Sequence, residues 1–195
     1  PRLRAALEDR AAGPAAGSWR TPWPPTPRGL LCPPAYRRTL TLLREAWASG
    51  RWPETSPARA RVVRAGSGGT FSVGARLAGR PLPRGNRLFP ELAEAVFALE
   101  EALAPDRPPS STVAITHNVA FAPHTDGGAG HGQSKSLIVG LGEYAGGELA
   151  VEGVASDIRY RPLEFDGFQQ LHWTLPFEGE RFSLVWFTPH VASWQ

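Results

Sequence analysis

The chain has 195 residues, 42% hydrophobic and 20% charged, a balance that fits one globular domain with a sizeable core and excludes a disordered segment. The formal net charge of +3 rests almost wholly on arginine, with Lys135 the only lysine, so the basic balance alone implies no nucleic-acid partner. The single cysteine, Cys32, excludes an internal disulfide framework and a cysteine-built zinc cluster, and no run approaches the roughly 20 apolar residues of a membrane-crossing helix.

The start, "PRLRAALEDRAAG", lacks the apolar segment of a signal peptide, and methionine is missing throughout. The expectation is a soluble, intracellular protein with no membrane partner, present as an excised domain or a processed product. Cys32 is expected to be a buried, inert thiol.

The stretch "SWRTPWPPTPRGLLCPP" holds too many prolines for a helix or a central strand. Residues 1–34 are therefore predicted to be an extended arm, and residues 35–195 the domain proper. From Ala35 to Ser49 the pattern is helical: Leu40, Leu43 and Trp47 share a face, and Gly50 is a plausible stop. "RVVRAGSGGTFSVGARL" can supply one or two strands. "FPELAEAVFALEEALAP" predicts a second helix, with Pro90 in its first turn, Leu92, Val96, Leu99 and Leu103 on one face, and Pro105 ending it.

Beyond Pro109 the texture changes. "STVAITHNVAF", "SLIVGLG", "GELAVEG", "IRYRPLEF", "QQLHWTL" and "RFSLVWFTP" are short runs bounded by Gly, Pro or Asp, the pattern of strands in a sandwich, jelly roll or small barrel.

Within this β region, "APHTDGGAGHGQSKS" sets His124 and Asp126 one residue apart. On an extended chain that step puts both side chains on one side, where they can share an ion. The best third ligand is His172, in a strand-like run far enough downstream for the sheet to fold back. Two neutral imidazoles and one carboxylate on one face of iron leave coordination positions open, an arrangement better suited to redox chemistry than a closed structural zinc site. Nine residues after His172 comes Arg181, then Ser183; a guanidinium fork can grip a carboxylate while a hydroxyl adds a hydrogen bond. Arg181 paired with Glu178 or Glu180 on the surface is the plainer alternative.

His124-Thr-Asp126, the distal His172 and the "RFS" that follows together resemble the ligand pattern of the Fe(II)/2-oxoglutarate-dependent dioxygenases, over about residues 110–190. The resemblance implies a mainly β double-stranded β-helix, here with N-terminal helices packed on the larger sheet. It implies Fe(II) on His124, Asp126 and His172, and 2-oxoglutarate held by Arg181 and Ser183. O2 would be co-substrate, with ascorbate a possible reductant. It also implies hydroxylation or a related oxidation of a C–H bond, because members that halogenate usually carry a small residue in place of Asp126.

"GGAGHGQSKSLIVGLGEYAGGELAVEG" resembles the loop and "GxYxGGxL" strand pair of nucleic-acid-modifying relatives such as the TET/JBP group. Similar strings occur in relatives acting on peptidyl residues and on small molecules, so all three substrate classes stay open. A catalytically silent binding module with the same fold is a further alternative.

Thr116 and Asn118 alternate along the strand before His124, so they either face the iron and 2-oxoglutarate pocket or close the strand edge with hydrogen bonds; His117, of opposite parity, faces away. Three residues are candidates for substrate contact: Lys135, which could equally be solvated, His131 in the glycine-rich loop, and Trp173 beside the distal ligand. The glycines of that loop would allow it to close as a lid.

Overall fold

The computed structural model describes residue 29 and residues 31–75, 82–126 and 135–189. Residues 1–28 of the predicted arm lie outside that range, and so does the glycine-rich loop with His131.

Among the described residues, four helices precede or interleave with the sheets. Helix α1, Pro34–Ala48, opens on a proline whose missing N–H no helix would have used. It closes where Gly50 takes a φ of +67°. Its buried stripe is Tyr36, Thr39, Leu40, Leu43 and Ala46. Trp47, expected on that stripe, falls just outside it because Ala46 holds the core-facing position. It is 38% exposed, and its ring lies 4.1 Å from that of His117. The short α2, Pro57–Ala60, is capped by the Ser56 hydroxyl, which accepts from the Arg59 N–H. Helix α3, Arg84–Leu88, leads into α4, Pro90–Leu103, which buries Leu92, Ala95, Val96 and Leu99.

The strands are β1 (Val63–Gly74), β2 (Thr112–Phe121), β3 (Ser136–Leu141), β4 (Tyr144–Gly146), β5 (Leu149–Val151), β6 (Val154–Ser156), β7 (Leu163–Phe165), β8 (His172–Thr174), β9 (Phe177–Gly179) and β10 (Phe182–Phe187). They form a five-stranded sheet in the order β1-β2-β10-β3-β7, a three-stranded sheet β6-β5-β8 and the pair β4-β9, all antiparallel.

Side-chain alternation gives the five-stranded sheet two unlike faces. Leu137, Val139, Leu141, Leu184 and Trp186 join Leu40, Leu43, Leu92, Val96 and Leu99 in the main core under the helices; the Trp186 indole N–H donates to the Val96 carbonyl at 2.9 Å. On the other face Ile138 and Val185 meet Leu149, Ile158 and Phe165, closing the smaller sheet over the larger. The architecture is a double-stranded β-helix with helices on its larger sheet.

Two sequence expectations need correction. The run "IRYRPLEF" is not one strand: Arg159 makes a single parallel bridge to Gly140, Tyr160 turns with φ of +55°, Pro162 cannot continue a ladder, and Leu163–Phe165 pairs separately as β7. The strands β4, β6 and β9 span three residues each, too short for an alternation pattern to announce them. Cys32 is only partly buried, at the edge of the main core. Among the described residues no helix is long and apolar enough to cross a membrane.

Candidate metal centre and co-substrate pocket

Chain folding brings His124 and His172 together through a reciprocal backbone pair: the His124 N–H donates to the His172 carbonyl at 3.0 Å and the His172 N–H to the His124 carbonyl at 2.9 Å. Asp126 is fixed by its own N–H, which donates to the Gly167 carbonyl at 2.8 Å. One potential ligand atom from each of His124, Asp126 and His172 lies within 4.8 Å of the others.

The imidazoles are oriented from behind. Nδ1 of His124 meets the Ala122 carbonyl at 2.8 Å and Nδ1 of His172 the Gln170 carbonyl at 3.0 Å. A carbonyl only accepts, so each Nδ1 carries the proton and each Nε2 keeps its lone pair. The buried His124 Nε2 has no hydrogen-bond partner among the described residues, and Asp126 Oδ1 lies 3.9 Å from it. Burial holds the His124 pKa below the usual histidine value, and the neighbouring His172 lowers it further, which favours the neutral, ligating form. Two imidazole lone pairs and one carboxylate fit a first-row divalent metal with open positions.

Three neighbours that sequence reasoning missed shape this centre. Arg59 on α2 reaches Asp126 Oδ1 at 3.6 Å and lies over the Phe121 ring. The Phe165 ring stands 4.9 Å from that of His172. Gly167 passes so close that a Cβ there would sit 2.5 Å from Asp126 Oδ2. The turn signal "DG" preceding Phe168 was visible in the sequence; the need for a bare Cα was not.

Arg181 lies in the interior, only 2% exposed. Its Nε–H donates to the Gly147 carbonyl at 3.2 Å, and its guanidinium lies over the rings of Tyr144 and Phe177. Among the described residues no carboxylate lies within ion-pair distance of it, Glu148 acting on it only from farther off, and the alternative partner Glu180 is engaged by Arg44. Burial lowers the Arg181 pKa, opposed chiefly by the Tyr144 hydroxyl beside it. An isolated buried cation costs several kcal/mol unless something compensates it, so the pocket suits an anionic ligand.

Ser183, also buried, sits in register between Thr116 of β2 and Gly140 of β3. Thr116 donates to the Thr70 hydroxyl at 3.2 Å on the same inner face. Asn118 joins the strand edge to Arg181: its Oδ1 accepts from the Arg181 N–H at 2.7 Å and its own N–H donates to the Arg181 carbonyl at 2.8 Å. It adopts a φ of +45° to do so, an uncommon conformation that asparagine tolerates better than most residues. His117 faces the helices, as expected, among Trp47, Trp52 and Phe182.

A cavity of about 360 Å³ is lined by Arg64, Asn118, Ala120, Thr174, Pro176 and Phe177 among others. Thr174 shares the His172 face of β8, while Asn118 and Phe177 touch Arg181. A second hollow of about 340 Å³ lies against Glu143, Tyr144, Arg159 and Glu178, and neither cavity is lined by His124, Asp126 or His172. Of the remaining candidates, Trp173 alternates to the face of β8 opposite His172 and is buried. Lys135 is exposed, with its carbonyl accepting from Arg107.

No protein-family model and no curated protein matches the chain. Solved structures do. A prolyl hydroxylase from Trichoplax adhaerens, in complex with a hypoxia inducible factor oxygen degradation domain peptide fragment, is 13% identical and superposes with a TM-score of 0.51 over 84% of this chain and 82% of its own. The chain has the 2OG-Fe(II) oxygenase fold. A Pseudomonas putida prolyl-4-hydroxylase is 17% identical with a TM-score of 0.49, covering 97% of this chain and 100% of that one. A 2OG-Fe(II) oxygenase family protein from Burkholderia pseudomallei is 18% identical with a TM-score of 0.47, covering 78% and 82%.

Proposed function

We propose that this protein is an Fe(II)- and 2-oxoglutarate-dependent dioxygenase that hydroxylates a C–H bond of its primary substrate. The observation that carries the reading is the presence of two features in one interior: His124, Asp126 and His172 gathered, with the Nδ1 atoms of the two histidines tied back, and the buried Arg181 guanidinium, with no carboxylate within ion-pair distance among the described residues and Glu148 acting on it only from farther off.

The residues divide the work. His124 and His172 offer Nε2, and Asp126 supplies the negative charge that binds a divalent cation in preference to a neutral ligand set. Arg181, aimed by the Gly147 carbonyl and by Asn118, grips the distal carboxylate of 2-oxoglutarate, and Ser183 adds a hydroxyl. Thr116 lies beside Ser183 on the same wall. Ile138, Leu149 and Val185 keep that interior apolar, which strengthens each charge contact made there. When bound, Fe(II) with 2-oxoglutarate and O2 supplies the oxidising chemistry, in which CO2 leaves, one oxygen atom ends in succinate and the other in the product hydroxyl.

Peptidyl residues, small molecules and nucleic-acid bases all remain eligible substrates. A nucleic-acid-directed reading has one observation in its favour: Arg59 stands beside Asp126, and Arg64 lines the cavity. It expects binding of single-stranded DNA or RNA that weakens steeply with salt.

The test is succinate formation from 2-oxoglutarate by Fe(II)-loaded protein in air, compared with His172→Ala and Arg181→Ala. The proposal expects slow uncoupled turnover in the native protein and none in His172→Ala. Binding of both ligands without any succinate, with and without a panel of the three substrate classes, would make the protein a silent binding module instead.

A further inference from the structure

Arg59 places a fixed positive charge beside the cluster that is suited to hold a cation. Its Nη1 lies 3.6 Å from Asp126 Oδ1, too far for a hydrogen bond. Among the described residues its guanidinium has no other carboxylate and no hydrogen-bond acceptor. The placement is built into the chain: the Ser56 hydroxyl accepts from the Arg59 backbone N–H at 3.4 Å, and the Val62 carbonyl accepts from the Ala122 N–H at 2.8 Å, just ahead of His124. The guanidinium lies 5.8 Å from the centre of the Phe121 ring, which itself stands 5.8 Å from the His124 ring. About a third of the side chain, 32%, stays open to solvent. Asp126 holds its place without this arginine, through its N–H on the Gly167 carbonyl and Oδ2 against Gly167. Like charges repel, so a guanidinium here weakens the grip of His124, Asp126 and His172 on a divalent metal. It serves the metal poorly, and its planar fork of N–H donors is left for another acceptor.

We infer that Arg59 recognises the primary substrate by an oxyanion, a carboxylate or a phosphate, that the substrate carries near the C–H bond to be oxidised. The inference rests on the dioxygenase reading above and adds the charge of the substrate to it. A guanidinium fork takes either oxyanion through two parallel hydrogen bonds. Gripping the substrate by a group other than the one that reacts orients it beside the metal-binding cluster. Arg64, exposed on the same segment and lining the larger cavity with Asn118 and Thr174, adds a second positive charge to that approach.

The test uses protein loaded with Mn(II) and 2-oxoglutarate, with inorganic phosphate, acetate and the neutral acetamide as probes. Mn(II) speeds the relaxation of nuclei held near it, so the phosphorus of phosphate and the methyl protons of acetate and acetamide report occupancy beside the metal. In the native protein phosphate or acetate should bind well beyond acetamide, phosphate the more for a phosphorylated substrate and acetate the more for a carboxylic acid. Arg59→Gln should weaken that anion about tenfold or more, as for other lost charge-assisted contacts. It should bind Mn(II) at least as tightly as the native protein and 2-oxoglutarate equally. Arg59→Lys should restore part of the anion binding, and Arg37→Gln, which removes an exposed charge on α1, should leave it intact. The inference is overturned if the anion binds native protein and Arg59→Gln alike, or weakens as much in Arg37→Gln. Loss of Mn(II) or of 2-oxoglutarate from Arg59→Gln also overturns it, making Arg59 a support for Asp126 or for the co-substrate. If the native protein binds neither Mn(II) nor 2-oxoglutarate, the dioxygenase reading itself fails and the inference with it.

Discussion

The two faces of the five-stranded sheet are built from the same strands and obey different rules. Toward the helices, Leu137, Val139, Leu141, Leu184 and Trp186 form a dry, continuous core. One residue out of phase, the inner face presents Ser136, Gly140, Thr116, Arg181 and Ser183, all buried as well. Burial alone would favour apolar side chains in both places. A guanidinium and a row of hydroxyls kept inside mark the inner face as a surface shaped for a polar ligand, and the helix-backed face as the part that keeps it folded.

The comparison predicts opposite phenotypes. Trp186→Ala or Leu184→Ala should cost about 3–5 kcal/mol of unfolding free energy by leaving a cavity, with the iron bound per folded molecule unchanged. His124→Ala, Asp126→Ala and His172→Ala should each lose most bound iron while the metal-free unfolding midpoint stays close to native. Metal analysis and thermal unfolding on the same samples check both, and a ligand variant that unfolds while keeping its iron would break the contrast.

Arg181 sharpens it. Arg181→Met should keep iron and weaken 2-oxoglutarate by about ten- to a hundredfold, as for other charge-assisted contacts. Without ligand, its stability should equal or exceed that of the native protein, because an unpaired buried cation is replaced by an apolar side chain. A large loss of ligand-free stability would show that Arg181 serves the fold.

The smallest effect belongs to His117, on the helix-backed face with Trp47, Trp52 and Phe182. Burial lowers its pKa, with Glu180 opposing. A histidine less basic in the folded state than its unfolded value of about 6.5 stabilises fully above that pH and progressively less as pH falls below it. Chemical denaturation as a function of pH should therefore show a shallower decline below about pH 6.5 in His117→Gln than in the native protein. Parallel curves would remove His117 from the account.

Much of this was legible in the sequence because the signals were periodic or chemical. The stripe of α4 and the alternation of β2, β3 and β10 announced themselves, and His124, Asp126 and His172 stood out because few residue types bind metals. The illegible part depends on contacts between segments distant in the chain. Gly167 matters because Asp126 lies against it. Asn118 matters because the Arg181 backbone needs its amide. Tyr144 matters because Gly140 leaves space for its hydroxyl. No local pattern encodes such juxtapositions, and strands of three residues fall below the length at which alternation can be read.

The account is tested most directly by a crystal structure of the protein with Mn(II) and 2-oxoglutarate under anaerobic conditions. It predicts the metal on Nε2 of His124 and His172 and on the Asp126 carboxylate, with the distal carboxylate of 2-oxoglutarate on Arg181. Metal bound at another cluster, or 2-oxoglutarate seated with its distal carboxylate away from Arg181, would contradict it.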